Sequence, residues 1–298
     1  MHAVRRPLDL VRQSAIEVLA PSVQSLPFIY ASPHSGAWYP PEFIAASKLD
    51  PLLLRRSEDS FVDEIFAAAP ELGAPLLRAE FARAYCDANR EPYELDPAMF
   101  VDDLPAYANT TSLRVAGGLG TIARVVGGGS EIYRGKLTFA EAEQRIADCY
   151  RPYHSSLSSL LQNTLDRFGY AVLIDCHSMP SIGGPLDRDE GRARPDIVLG
   201  DRFGSACASR LTQAADHILS GLGYRVVRNQ PYAGGFTTHH YGRPAEGLHA
   251  LQIEINRGLY MDEVKIERRS GLAGLAADMR RLALGLAELP AESFRPHR

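Results

Sequence analysis

The stretch AVLIDCHS (171–178), closed by Met179 and Pro180, decides the fold. Its apolar start and polar end describe a buried parallel strand whose C-terminal end presents side chains to a site, the usual place for chemistry in open α/β sheets. Working outward, a long helical pattern over 138–168 precedes it. Thr138 and Glu141 stand at capping-box spacing, and Gly169 marks the exit. After it come a Gly-, Pro- and Asp-rich loop (181–196), a short strand (197–200), a helix (203–222), a strand (224–228) and a long loop (231–244). The alternating segment LHALQIEIN (248–256) and a terminal helix (about 268–288) complete this half. Upstream, 26–32 forms a short apolar strand that delivers a loop at Pro33. EDSFVDEIFAAA (58–69) has helical spacing, with Asp59 or Ser60 available as cap, and 75–82 and 84–87 suggest two extended segments. Strands alternating with helices predict a three-layer α/β/α architecture with a mixed, mostly parallel central sheet.

The 298 residues carry 32 basic and 36 acidic side chains, a formal charge of −4, and 45% hydrophobic residues. This is the composition of a globular protein with a sizeable core, and without a basic excess nucleic acid is not an expected partner. No repeat, linker or shift in composition interrupts the chain, so residues 1–298 are expected to form one catalytic domain, with the first ~20 and last ~10 residues peripheral. No apolar run reaches the ~20 residues of a membrane helix. The N-terminus, with Arg5, Arg6, Asp9 and Arg12, lacks the apolar region of a signal peptide, and a cytoplasmic location is expected. Cys86, Cys149, Cys176 and Cys207 lie far apart without CxxC spacing, which suits reduced, buried thiols. A Cys176–His177 dyad is geometrically poor, because adjacent strand residues point to opposite faces.

Two histidines, His34 in SPHSG and His177 in DCHSMP, end core strands and are each followed by serine. Paired in this way they point to a metal. A catalytic zinc takes three protein ligands and keeps one position open, and Asp59 or Asp63 is the candidate third ligand. Asp175, two residues before His177, is suited to fixing that imidazole from behind. Glu254, on the polar side of LQIEIN, is either a solvated residue of an antiparallel edge or a general base. Arg83 and Arg90 flank AYCDANR, where Asp87, Asn89 and Arg90 can converge on a carboxylate ligand. The Gly-rich stretches 116–124 and 126–134 match no phosphate-binding pattern and are expected as loops near the site, with Arg124 a further anion contact. Ser35 and Ser178 sit in no nucleophile motif.

Taken together, SPHSG…YP, EDSFVDEIF, RAYCDANR, DCHSMP, NQPYAGG and HALQIEINRGLYMDE resemble the N-formylglutamate amidohydrolase family, over residues 26 to about 285. That family is in turn similar to the zinc carboxypeptidases, which implies a zinc-carboxypeptidase-like fold. The order His34, Asn89-Arg90, His177, Glu254 follows the order of first zinc histidine, carboxylate-binding Asn-Arg pair, second zinc histidine and catalytic glutamate. One departure is that the HxxE glutamate position is Ala37 here, and the resemblance then favours Asp59 over Asp63. It implies one zinc per chain, or another divalent metal, on His34, Asp59 and His177, with Glu254 as base and Arg83 or Arg124 facing the oxyanion. Asn89, Arg90, Arg124 and His240 would contact a small dicarboxylate-type substrate. The implied reaction splits N-formyl-L-glutamate into formate and L-glutamate, a last step of histidine breakdown. The alternatives are an N-acyl amino acid deacylase, a metallocarboxypeptidase, and a non-catalytic binding protein on the same fold.

Overall fold

The computed structural model describes residues 14–185 and 187–296. The basic stretch at Arg5, Arg6, Asp9 and Arg12 lies outside the described residues. Seven strands form one sheet: β1 (Ile16–Leu19), β2 (Phe28–Ser32), β3 (Leu76–Ala79), β4 (Ala171–Met179), β5 (Ile197–Gly200), β6 (Val226–Arg228) and β7 (Leu248–Asn256). Their order is β1-β3-β2-β4-β7-β5-β6. The run β3, β2, β4 and β7 is parallel, as is the pair β5 and β6, while β1 meets β3 and β5 meets β7 antiparallel. The sheet is mixed and mostly parallel, as the alternation of elements predicted.

The segment AVLIDCHSM is β4, buried at all nine positions, and LHALQIEIN is β7, with the predicted bounds. Its placement corrects one expectation for Glu254: β7 is central and buried on both faces, not a solvated edge. Its polar residues are therefore turned into the protein.

Helices are α1 (Pro41–Ala46), α2 (Pro51–Leu54), α3 (Val62–Ile65), α4 (Leu113–Ala116), α5 (Phe139–Arg145), α6 (Arg151–Phe168), α7 (Ser209–Gly221), α8 (Phe236–Tyr241) and α9 (Gly271–Ala287). On one sheet face Phe28, Val172, Ile174, Ile253 and Ile255 pack with Leu211 and Leu219 of α7 and Met279 and Leu282 of α9. On the other, Ile29, Leu173 and Ala250 pack with Tyr153, Leu157 and Leu161 of α6. This is the three-layer α/β/α arrangement. A separate apolar cluster, including Tyr39, Phe43, Leu95, Phe100 and Ile132, supports the long excursion between β3 and β4. The four cysteines are buried and free. Among the described residues no helix is long and apolar enough to cross a membrane.

Several elements differ from the sequence pattern for local reasons. The helical pattern at 138–168 starts with the predicted capping box and ends at Gly169 in the left-handed region, but a π turn (Ile146–Tyr150) separates α5 from α6. Pro152 just beyond has no N–H to give and would crowd the carbonyl four residues back, which a wider turn relieves. The expected helix over 58–69 shrinks to α3, because Phe61 takes a left-handed φ of 69°. Arg202 and Phe203, at φ 56° and 58°, likewise delay α7 to Ser209. Residues 84–87 turn rather than extend, with Tyr85 N and Cys86 N donating to Ala82 O. The loop 231–244 contains α8, and a small hairpin, β8 (Met261–Asp262) with β9 (Glu267–Arg268), follows β7.

The sheet positions the site through register. Asp175 pairs with Gln252 and His177 with Glu254, all on the α6 side, because they continue the alternation of Ala171, Leu173, Leu248 and Ala250. The apolar cluster with α6 holds those first positions of the two strands, and the last ones carry polar side chains. β2, parallel to β4, brings His34 to the same end two residues after Ser32.

The His34 loop is clamped to β3's continuation: Trp38 N donates to Glu80 O and Ala82 N to Trp38 O. A Cβ on Gly36 would lie 2.3 Å from Phe81 O and 2.5 Å from Glu80 C, both backbone atoms. Gly36→Ala should therefore destabilise the protein by roughly 1–3 kcal/mol. The check is a lowered urea midpoint at unchanged slope; an unchanged midpoint would mean that this loop yields freely.

Candidate metal centre and substrate cleft

Three buried side chains converge where β2, β4 and the turn before α3 meet. His177 Nδ1 lies 3.1 Å from Asp59 Oδ2, and His34 Nδ1 lies 3.4 Å from the same oxygen. The two rings are 4.9 Å apart at their centroids. Behind each ring, Nε2 faces a carboxylate: Asp87 Oδ1 at 2.8 Å from His34 and Asp175 Oδ1 at 2.9 Å from His177. Carboxylates in those positions orient the imidazoles and raise their basicity, leaving both Nδ1 edges turned to one point.

The donor set fits a metal ion. The ligand atoms of His34, Asp59 and His177 all lie within 4.8 Å of one another, and His34 Nδ1 is buried without a hydrogen-bond partner. Asp63 stands outside this cluster, on α3, where it pairs with Arg78 Nη1 at 2.9 Å. Asp59 does not cap a helix. Its N–H donates to His34 O at 2.9 Å, which ties the two ligand-bearing segments together before α3 begins.

Arg257, which the sequence patterns did not single out, controls Asp59. Its Nη2 donates to Asp59 Oδ1 at 3.0 Å, its Nε to Ser178 Oγ at 3.1 Å and its Nη1 to Arg56 O at 3.1 Å, while Ser178 Oγ donates to Asp59 Oδ1 at 3.1 Å. One carboxylate oxygen is thus engaged by Arg257 and Ser178, and the other is left to the histidines. Burial raises the Asp59 pKa, but the hydrogen bond from His177 and the nearby His34 and Arg257 outweigh it and hold the carboxyl well below its usual range. The signal for Arg257 was its place directly after the β7 strand that carries Glu254.

Glu254 is nine-tenths buried and opens on the cleft beside His177. Burial pushes its carboxyl up to about 7, with the charge of His177 working against this and that of Asp59 adding to it. Gln252 Nε2 donates to Glu254 Oε1 at 2.8 Å, and Gln252 Oε1 accepts from Gly235 N at 2.8 Å. The loop before α8 is therefore fastened to the site strand.

The cleft, about 540 Å³, is lined by His34, His177 and Glu254 together with Arg83, Asn89 and Arg90. Arg83 Nε donates to Asp87 Oδ2 at 3.0 Å. Arg90 gives Nε to Leu119 O and Nη1 to Asn89 O. Asn89 is committed inside the protein: its Nδ2 lies 3.2 Å from His177 Nε2 and its Oδ1 accepts from Thr237 N at 2.8 Å. Two expected contacts lie away from the cleft lining. Arg124 turns outward to Asp96 Oδ2 at 2.9 Å, and His240 is exposed on α8, stacked on Phe236. In their place the cleft presents Arg114 of α4 and Arg202. Among the described residues neither has a carboxylate within ion-pair reach, and Arg202 makes only a 3.3 Å bond to Gly234 O. Neither residue sits in a motif, so only the fold could reveal them.

Known proteins show the same arrangement of chain. Residues 26–261 match the N-formylglutamate amidohydrolase family. The N-formylglutamate deformylase of Pseudomonas aeruginosa is 31% identical over 250 residues, covering 83% of this chain and 86% of that protein. The enzyme of the same name from Pseudomonas putida is 28% identical over 243 residues, covering 80% and 84%. The crystal structure of an N-formylglutamate amidohydrolase from Ralstonia eutropha superposes with a TM-score of 0.85 at 38% identity, covering 92% of this chain and 98% of that one. A gene product from Agrobacterium tumefaciens, 21% identical with a TM-score of 0.64, shares the fold. The matched span runs from β2 through β7 and takes in every residue of the His34, Asp59, His177 and Glu254 cluster, and this chain belongs to the N-formylglutamate amidohydrolase family.

Proposed function

We propose that this protein hydrolyses the formamide bond of N-formyl-L-glutamate to formate and L-glutamate, using one zinc ion held by His34 Nδ1, Asp59 Oδ2 and His177 Nδ1. The observation that carries this is the buried His-Asp-His cluster standing next to Glu254 in a chain of this family. Two imidazoles and one carboxylate are the donors of a catalytic zinc with an open position. The cation supplies Lewis-acid polarisation of the formyl carbonyl and of water.

The chain's own groups do the rest. Glu254, held at Oε1 by Gln252, accepts a proton from the attacking water and returns it to the amide nitrogen as the C–N bond breaks. Arg83, tethered through Nε to Asp87, keeps its remaining N–H groups for the oxyanion. Arg90 and Arg114 receive one substrate carboxylate and Arg202 the other. Asn89 acts by holding the α8 loop through its Oδ1 rather than by touching substrate. Residues 1–298 are taken as one catalytic domain, supported by the seven-stranded sheet whose neighbouring strands carry the site.

Glu254→Gln should keep its zinc and lose turnover by at least ~10²-fold. Metal analysis beside an N-formylglutamate assay decides it, and near-normal turnover would remove Glu254 from the reaction. Because the base works only as a carboxylate, kcat/KM should fall as pH drops through its pKa. Without metal that pKa is about 7, and a neighbouring cation lowers it, so the acid limb of the zinc enzyme should lie below 7.

Arg202→Ala should raise KM by about 10- to 100-fold with kcat largely kept, the worth of a hydrogen bond to a charged group. Arg124→Ala should change neither constant, and equal effects in the two variants would refute the assignment. Arg257→Gln should weaken metal binding by about 10- to 100-fold, read as faster zinc loss to a chromogenic chelator; unchanged loss would make Arg257 a bystander.

A further inference from the structure

The two edges of the His34 ring divide the cleft. Nε2 leads through Asp87 to the wall that holds Arg83, Asn89 and Arg90. Nδ1 leads through Asp59 and Arg257 to a second wall, since Arg257 Nη1 donates to Arg56 O. There the Arg56-Ser57 turn lies against the turn at 126–129, with Gly127 N donating to Ser57 Oγ at 3.1 Å. The β8–β9 hairpin joins this wall, its Glu263 accepting from Ser181 N. Val126, Met261 and Val264 give it apolar surface beside the Glu263 carboxylate, and Arg56 lines it as an exposed guanidinium with no carboxylate in ion-pair reach among the described residues.

In the orientation of the proposed function, on which this inference rests, the glutamate carboxylates occupy the first wall. Only the hydrogen of the formyl carbon then faces the second. Granting each non-hydrogen atom the ~30 Å³ that a water takes in the liquid, a ligand of about a dozen atoms needs at most ~360 Å³. The cleft offers about 540 Å³. The difference leaves room for about half a dozen further atoms.

We infer that the second wall is an acyl-side subsite that admits N-acyl-L-glutamates whose short acyl chain ends in a carboxylate, with its methylenes on Val126, Met261 and Val264 and its carboxylate on Arg56. N-succinyl-L-glutamate is the probe. The same step cleaves it: water oxygen joins the acyl carbon, the C–N bond breaks, Glu254 carries the proton to nitrogen, and succinate and glutamate leave.

Zinc-loaded enzyme should hydrolyse N-succinyl-L-glutamate with kcat/KM at least about one-hundredth of that for N-formyl-L-glutamate, and faster than N-acetyl-L-glutamate, which lacks the anchor. Arg56→Ala should lower the succinyl-to-formyl ratio about tenfold or more. A succinyl value below that threshold, or a ratio unmoved in Arg56→Ala, overturns the subsite. Turnover of the succinyl but not the formyl compound would sink the formyl assignment and keep the subsite. If neither turns over, calorimetric titration of zinc-loaded Glu254→Gln decides. Succinyl binding about tenfold tighter than acetyl, with the advantage lost on adding Arg56→Ala, sustains the subsite, and equal binding overturns it.

Discussion

Besides Glu58, which pairs with Arg55, four carboxylates, Asp59, Asp87, Asp175 and Glu254, are buried around one cleft, and the cost of holding that much negative charge out of water is the constraint to which the site answers. Each is met by a specific partner. Arg257 and both imidazoles meet Asp59; Arg83 and His34 meet Asp87; His177 and Thr238 meet Asp175. Glu254 has the weakest compensation, a neutral amide from Gln252, and burial pushes its carboxyl up to about 7. The residue with the least support is the one a proton-transferring role requires, because a base poised near neutral pH both accepts and returns a proton.

The same constraint suits the cluster to a divalent cation. The buried carboxylates outnumber Arg83, Arg90 and Arg257, and without metal the balance falls on the histidines. Burial works to lower the His177 pKa, yet Asp175 and Asp59 outweigh it and raise it well above its usual value. A proton then sits where a cation would. A metal held by these residues would have to displace that proton, which would weaken its apparent affinity as pH falls.

What the sequence disclosed follows from how far each signal is local. β7 was legible to the residue and β4 to within one, because a central strand must be continuous and apolar on its packed face. The polar residues of LQIEIN misled only about exposure, since alternation looks the same on a solvated edge and above a buried site. His34, His177 and Glu254 were found because strand ends carry chemistry. Asp59 emerged by resemblance, while its helical spacing was irrelevant: Phe61 breaks the helix at φ 69° and frees Asp59 to face the histidines. Arg114, Arg202 and Arg257 were hidden because their role depends on contacts made across long stretches of chain. Arg257 reaches Asp59 across 198 positions.

The arginines also show why motif membership is a poor guide to ligand binding. A guanidinium whose N–H groups are already given to a buried carboxylate contributes to substrate only what geometry leaves over, and withdrawing it exposes the charge it was covering. Arg83 and Arg257 are in that position, and Arg90 has two of its donors committed to backbone carbonyls. Among the described residues Arg114 and Arg56 have no such commitment and Arg202 only its 3.3 Å bond to Gly234 O, so they can accept an incoming carboxylate without breaking an ion pair. In a chain of net charge −4, three guanidiniums in one cleft without a carboxylate partner among the described residues favour an anionic ligand before any pocket shape selects its size.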